Sequence, residues 1–120
     1  MALISFDHVQ LAMPEGQEAQ ARGFYVGVLG LSEDEKPPEL AARGGCWFRQ
    51  GDLKLHLGVE ADFRPARKAH PGILVDDIAD LKRRAQAAGL VVRHDAPIPD
   101  YDRVFMDDPF GNRLEFLQKI

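Results

Sequence analysis

One cysteine, one tryptophan and two tyrosines stand among 120 residues, and that scarcity excludes several kinds of protein. Cys46 has no second cysteine to bond with, so no internal disulfide can staple the chain, and a reducing, cytoplasmic setting is expected. A basic surplus is missing as well. Fifteen lysines and arginines face 19 acids, for a net charge of -4. Binding a phosphate backbone requires the opposite balance, so nucleic acid is not an expected partner. No stretch approaches the ~18 consecutive apolar residues of a membrane span. The opening Met1-Ala-Leu-Ile-Ser-Phe-Asp-His8 lacks the basic start and long apolar core of a signal peptide. A soluble intracellular protein with no membrane partner is expected. Arg64, Arg67 and Lys68 form the nearest approach to a basic cluster, enough to steer a small anion.

What is present is a 45% hydrophobic chain, long enough for one domain with a real core and too short for two ordinary ones. Within it two stretches share one design. Phe105 to Gln118 reads as two strands around a Pro-Gly-Asn turn, with Leu114 and Phe116 on one face and Arg113, Glu115 and Leu117 on the other. Phe48 to Gly58 reads likewise: Leu53, Leu55 and Leu57 face one way, Lys54 and His56 the other. His56 and Glu115 lie 59 positions apart, as do Gly30 and Gly89 at the ends of two helical stretches, and His8 and His70 lie 62 apart. The chain therefore reads as a duplication: module one about 1–60, a polar linker about 61–69, module two about 70–120.

Each module predicts strand, helix and three strands. Residues 3–12 open the first, followed by a helix with an apolar face of Ala21, Phe24, Tyr25, Val28 and Leu29 that Gly30 ends. A short strand and loop fill 31–43, with strands at 44–50 and 53–60. In the second module, His70 to Val75 is a strand, and Asp76 or Asp77 caps a helix with Ile78, Leu81, Ala85 and Ala88 inward. Strands are expected at 90–95, 102–106 and 112–119. The fold class is α+β: two βαβββ modules forming a curved mixed sheet around a cleft.

His8, His56, His70 and Glu115 occupy matching polar positions on the first and fourth strands of the two modules. Taken singly, a strand histidine is usually a solvated or hydrogen-bonded side chain. Taken together, and if the two sheets curl toward each other, they can converge. Imidazole and carboxylate donors suit a borderline divalent ion such as Zn, Ni, Fe(II), Co or Mn, and two histidines with one carboxylate leave positions open for substrate.

The runs Phe6-Asp-His-Val-Gln-Leu-Ala-Met-Pro14, Val28-Leu-Gly-Leu31, Lys68-Ala-His-Pro-Gly-Ile-Leu-Val-Asp-Asp77 and above all Asp108-Pro-Phe-Gly-Asn-Arg-Leu-Glu-Phe116 resemble the vicinal oxygen chelate superfamily. That superfamily includes glyoxalase I, bleomycin resistance proteins, fosfomycin-resistance transferases and extradiol dioxygenases. The resemblance implies metal ligands on the first and fourth strands. It carries the two-histidine, one-glutamate set onto His8, His70 and Glu115, and puts His56 where glyoxalase I has a ligating glutamate. A homodimer with a small-molecule substrate is implied too, and a site may draw on one chain or two.

The expected function is that of a glyoxalase-like, metal-dependent lyase or isomerase acting on a small substrate with adjacent oxygens. Glu115 and His56 would be its proton-transfer residues, and Arg49, Arg64 or Arg67 would hold an anionic group. One alternative is an extradiol dioxygenase with Fe(II) on His8, His70 and Glu115. The other is a metal-free binding or resistance protein of the bleomycin-resistance type, whose cleft would use Trp47, Tyr101, Phe48 and Phe105 against a flat ligand.

Overall fold

Strand alternation buries one row of side chains per strand, and in the computed structural model, which describes residues 1–120, those rows meet in a core of 19 residues. Four strands of the first half form one sheet: β1 (Val9–Met13), β2 (Ser32–Asp34), β3 (Cys46–Gln50) and β4 (Leu53–Val59), in the order β1-β4-β3-β2. The pairing of β1 with β4 is parallel, and the β3–β4 and β2–β3 pairs are antiparallel. Leu55 and Leu57 of β4 and Cys46 and Phe48 of β3 point to the core and are 2% exposed or less. Burial at that level contributes about 1.5–3 kcal/mol for each large apolar side chain.

The second half gives a three-stranded sheet, β5 (Gly72–Leu74), β6 (Tyr101–Asp107) and β7 (Arg113–Lys119), in the order β5-β7-β6. The strand expected at 90–95 is reduced to one bridge, in which Arg93 and Phe105 exchange two backbone hydrogen bonds of 2.8 Å. Pro97 and Pro99 follow at once, and proline cannot donate to a ladder. The opening strand is also shorter than expected. Residues 1–8 have no regular structure, and Leu3, Ile4 and Phe6 are more than 90% exposed.

Helix α1 (Glu18–Tyr25) packs Ala21, Phe24 and Tyr25 against β3. A short helix, α2 (Pro38–Ala41), lies where sequence gave only loop. Helix α3 (Ile78–Ala87) packs on β6 and β7. Asp77 caps it by accepting from the Asp80 N–H at 3.0 Å, and Gln118 accepts from the Ile78 N–H at 2.9 Å. Both binding free N–H groups at the helix start, these side chains fix α3 to the end of β7.

One buried carboxylate joins the halves. Asp108 Oδ1 accepts the Phe110 and Asn112 N–H groups, each at 2.9 Å, and its Oδ2 accepts Tyr25 Oη at 2.8 Å and Asn112 Nδ2 at 2.9 Å. Asn112 also donates from Nδ2 to the Ala12 carbonyl at 2.8 Å, while its Oδ1 accepts the Ala66 N–H at 3.0 Å. The Asp-Pro-Phe-Gly-Asn run thus does more than turn the chain. Four donors satisfy a carboxylate that is 4% exposed, which is the condition for burying one cheaply. Tyr25 comes from α1 and Ala12 from β1, so the junction sets how the two sheets sit.

Candidate functional site

The open face of the β5-β7-β6 sheet holds the first pair of expected residues. Gly72 lies opposite Glu115, and Phe105 lies opposite Glu115 from the other side. His70, just before β5, reaches back to the carboxylate: Nε2 is 3.1 Å from Glu115 Oε2, and the two side chains are 28% and 12% exposed. Its Nδ1 is 2.8 Å from the Lys68 carbonyl oxygen, which can only accept, so Nδ1 carries a proton. The Nε2 lone pair of a neutral His70 then faces a carboxylate oxygen. Such a contact holds only with positive charge between the two, either a proton or a metal ion.

Two arginines complete this face. Arg103 donates from Nη1 to Glu115 Oε1 at 3.0 Å, and its guanidinium lies 5.2 Å from the Phe105 ring centre. Arg113 lies 4.3 Å from the same ring centre, and its Nε is buried without a hydrogen-bond partner. Phe105 is 2% exposed and meets the His70 ring edge-on at 5.6 Å, so one aromatic ring supports three polar side chains. Sequence reading overlooked Arg103. Hairpin register could have found it, since pairing Phe105 with Glu115 places Arg103 opposite Leu117, on the diagonal from Glu115.

His56 on β4 and His8, just before β1, form the second pair, against the other sheet. Their rings stack at 4.3 Å, and His56 stacks in turn on Trp47 at 4.3 Å and 6°. His56 is 7% exposed, and burial, followed by the neighbouring His8, lowers its pKa below the ordinary histidine value. His8 Nδ1 lies 3.0 Å from Asp7 Oδ1, leaving Nε2 free. That bond, then Lys54, holds the exposed Asp7 below the usual carboxylate range. Within one chain the four candidates therefore stand as two pairs, and no three His, Cys, Asp or Glu side chains gather as a metal cage requires.

The remaining candidates divide. Arg64 lines a cavity of about 640 Å³ together with His70, Gln10 and Phe6. Arg49 is engaged by Asp34 at 2.8 Å. Trp47 covers His56, and with Arg49 and His8 it borders a separate cavity of about 400 Å³. Tyr101 opens β6 opposite Lys119. Phe48 is fully buried and stacks on Tyr25 at 5.2 Å, so it belongs to the core and offers no surface to a ligand.

Two related α+β units, each presenting histidine or carboxylate donors on an open sheet face, define a class of small-molecule enzymes and binding proteins. A family model described as the Glyoxalase/Bleomycin resistance protein/Dioxygenase superfamily matches residues 5–116, and the chain belongs to that superfamily. Among solved structures it is similar to a protein from Bacillus anthracis assigned provisionally to the glyoxalase family, with 43% identity, a TM-score of 0.95 and coverage of 100% of this chain and 98% of the other. Its fold is also similar to that of the antibiotic binding protein TnmS3 from Streptomyces sp. CB03234, at 21% identity and a TM-score of 0.76, covering 100% and 99%. The fosfomycin resistance protein FosX from Listeria monocytogenes has 10% identity and a TM-score of 0.78, covering 99% and 96%. A comparison with curated proteins gave no significant match. No helix is long and apolar enough to cross a membrane.

Proposed function

We propose that this protein is a glyoxalase-like enzyme that uses a divalent metal ion for proton transfer on a small substrate with adjacent oxygens. The observation that carries the reading is the contact of His70 Nε2 with Glu115 Oε2. Two donors 3.1 Å apart are spaced as neighbours around one ion with bonds of about 2 Å. His70 also has the outer partner that ligating imidazoles keep, the Lys68 carbonyl on the opposite ring nitrogen. Gly72 leaves space beside the pair, for a methyl group there would lie 3.5 Å from Glu115 Oε2.

His70 and Glu115 would hold the ion, with His8 as the third donor and His56 beside it. We place His8 on a second copy of the chain, because no three of the candidates gather within one copy and an exposed apolar arm, Met1 to Phe6, leads toward His8. A homodimer that buried this arm would bring the pairs together. When bound, the ion supplies Lewis-acid stabilisation of negative charge on the substrate oxygens. Glu115 Oε1 is committed to Arg103, so Oε2 would be the oxygen that holds the ion. His56, kept neutral at pH 7 by burial, suits a proton acceptor or a support for His8. Arg64 can hold an anionic group of the substrate in the cavity beside His70.

A second reading has support of its own. Arg103 and a protonated His70 satisfy both oxygens of Glu115 without a metal, as suits a binding protein of the TnmS3 kind. Metal analysis of untagged protein, before and after addition of Zn, Ni, Co, Mn or Fe(II), separates the two. About one ion per site, lost in His70→Ala and Glu115→Ala, supports the enzyme. No uptake of any of the five leaves the binding protein. Oxygen consumption with catechols then tests the dioxygenase branch, for which no turnover is expected.

A further inference from the structure

The side chain of Arg103 is held at more points than a surface ion pair is. Its Nε donates to the Ala96 carbonyl at 3.1 Å, and Nη2 donates to the same oxygen. Nη1 reaches Glu115 Oε1 at 3.0 Å, the guanidinium rests over Phe105, and the side chain is 17% exposed. The guanidinium is a rigid planar fork, so fixing two of its nitrogens on Ala96 fixes where the third points. Arg103 therefore reaches only one carboxylate oxygen and cannot bridge both. With Oε1 held by Arg103, the remaining oxygen, Oε2, is turned toward His70 Nε2 at 3.1 Å.

From this we infer that Arg103 is a positioning residue that makes Glu115 a one-oxygen donor. It clamps Oε1 against the Ala96 loop and presents Oε2 alone to whatever cation sits beside His70. A glutamate free of the clamp can turn and offer both oxygens, taking up a coordination position that substrate needs. A lysine at 103 restores the charge without the fork, so it cannot grip Ala96 and Oε1 in the same geometry. Charge alone and geometry thus become separable. The consequence for a bound metal rests on the metal reading above. The clamp itself does not.

The test uses full-length wild type, Arg103→Gln and Arg103→Lys. The Co(II) absorption spectrum is sensitive to coordination number, since an added carboxylate oxygen weakens the visible bands. Arg103→Gln is expected to lose at least half the molar absorbance of the Co(II) form, and Arg103→Lys to recover less than half of that loss. Full recovery in Arg103→Lys, or an unchanged spectrum in Arg103→Gln, overturns the inference. Nitrogen-15 shifts of the His70 ring in metal-free protein, at one fixed pH, provide a reading that needs no metal. Release of Oε2 should move the Nε2 resonance in Arg103→Gln, and an unmoved resonance likewise overturns the clamp. Failure of wild type to bind Co(II) refutes the metal reading alone, and the nitrogen-15 comparison then decides the clamp. Thermal melts of all three proteins identify a variant that has not folded, and Arg103→Met then replaces it.

Discussion

Replacing Tyr25 by phenylalanine removes one oxygen atom from the junction between the halves and leaves the ring in place. That ring is fully buried, edge-on to Phe24 and stacked on Phe48, so the substitution opens no cavity of consequence. What is lost is the 2.8 Å bond from Tyr25 Oη to Asp108 Oδ2. A hydrogen bond to a charged group contributes ~1.5–3 kcal/mol, and the carboxylate left behind has only three of its four donors. For 120 residues the unfolding entropy is ~0.25 kcal/mol/K, so the melting midpoint should fall by ~6–12 °C. The assay is differential scanning calorimetry at fixed protein concentration, because the midpoint of any self-associating protein depends on it. A drop under about 2 °C would refute the claim that the Asp-Pro-Phe-Gly-Asn run is a load-carrying joint rather than a turn.

Asn112→Ala should cost more than Tyr25→Phe in the same assay, since it orphans the Ala12 carbonyl and the Ala66 N–H together. Emission of Trp47, the only tryptophan, should report the protonation of its stacked partner His56, because an imidazolium against an indole quenches it. In metal-free protein the quench midpoint should lie below the ordinary histidine value of 6.5, and His56→Gln should abolish it; a midpoint at or above 6.5 contradicts the burial argument. The linked stability has a definite sign. The unfolded chain protonates His56 first, so this contribution is complete above pH 6.5 and is lost as pH falls below it. Gly45→Ala should destabilise strongly, because φ is +86° and a β-carbon would sit 2.1 Å from the Leu57 carbonyl oxygen. The Cys46 thiol, pushed up to about 11 by burial, should react with a disulfide reagent only on unfolding, and rapid reaction of the native protein would contradict its placement.

The strands and their faces were readable where alternation runs long. Leu53 to Val59 and Arg113 to Lys119 show it over seven residues each, and a one-residue slip in either would move Leu55 or Leu114 into water. The 90–95 strand was not readable as a failure, since Leu90, Val91 and Val92 look extended and only the prolines after them limit the pairing. The four candidate ligands could be picked out by position, because His8 and His70 lie 62 apart and His56 and Glu115 59 apart in stretches of one design. Their division into two pairs could not, because it depends on how the sheets are set by Tyr25, Asp108 and Asn112. Those three are separated by up to 87 positions, and nothing local marks them as neighbours. Arg103 is a middle case: hairpin register could have put it beside Glu115 but was not used for that, and its grip on Ala96 depends on a loop conformation.

In the proposed site His8 of one copy meets His70 and Glu115 of another, and mixed dimers test that directly. Chains carrying His8→Ala and chains carrying Glu115→Ala, each unable to hold a full site in its own homodimer, are combined and the heterodimers isolated. Sharing predicts that each heterodimer regains one intact site of two, hence about half the wild-type metal uptake. No regained uptake in correctly assembled heterodimers would contradict it.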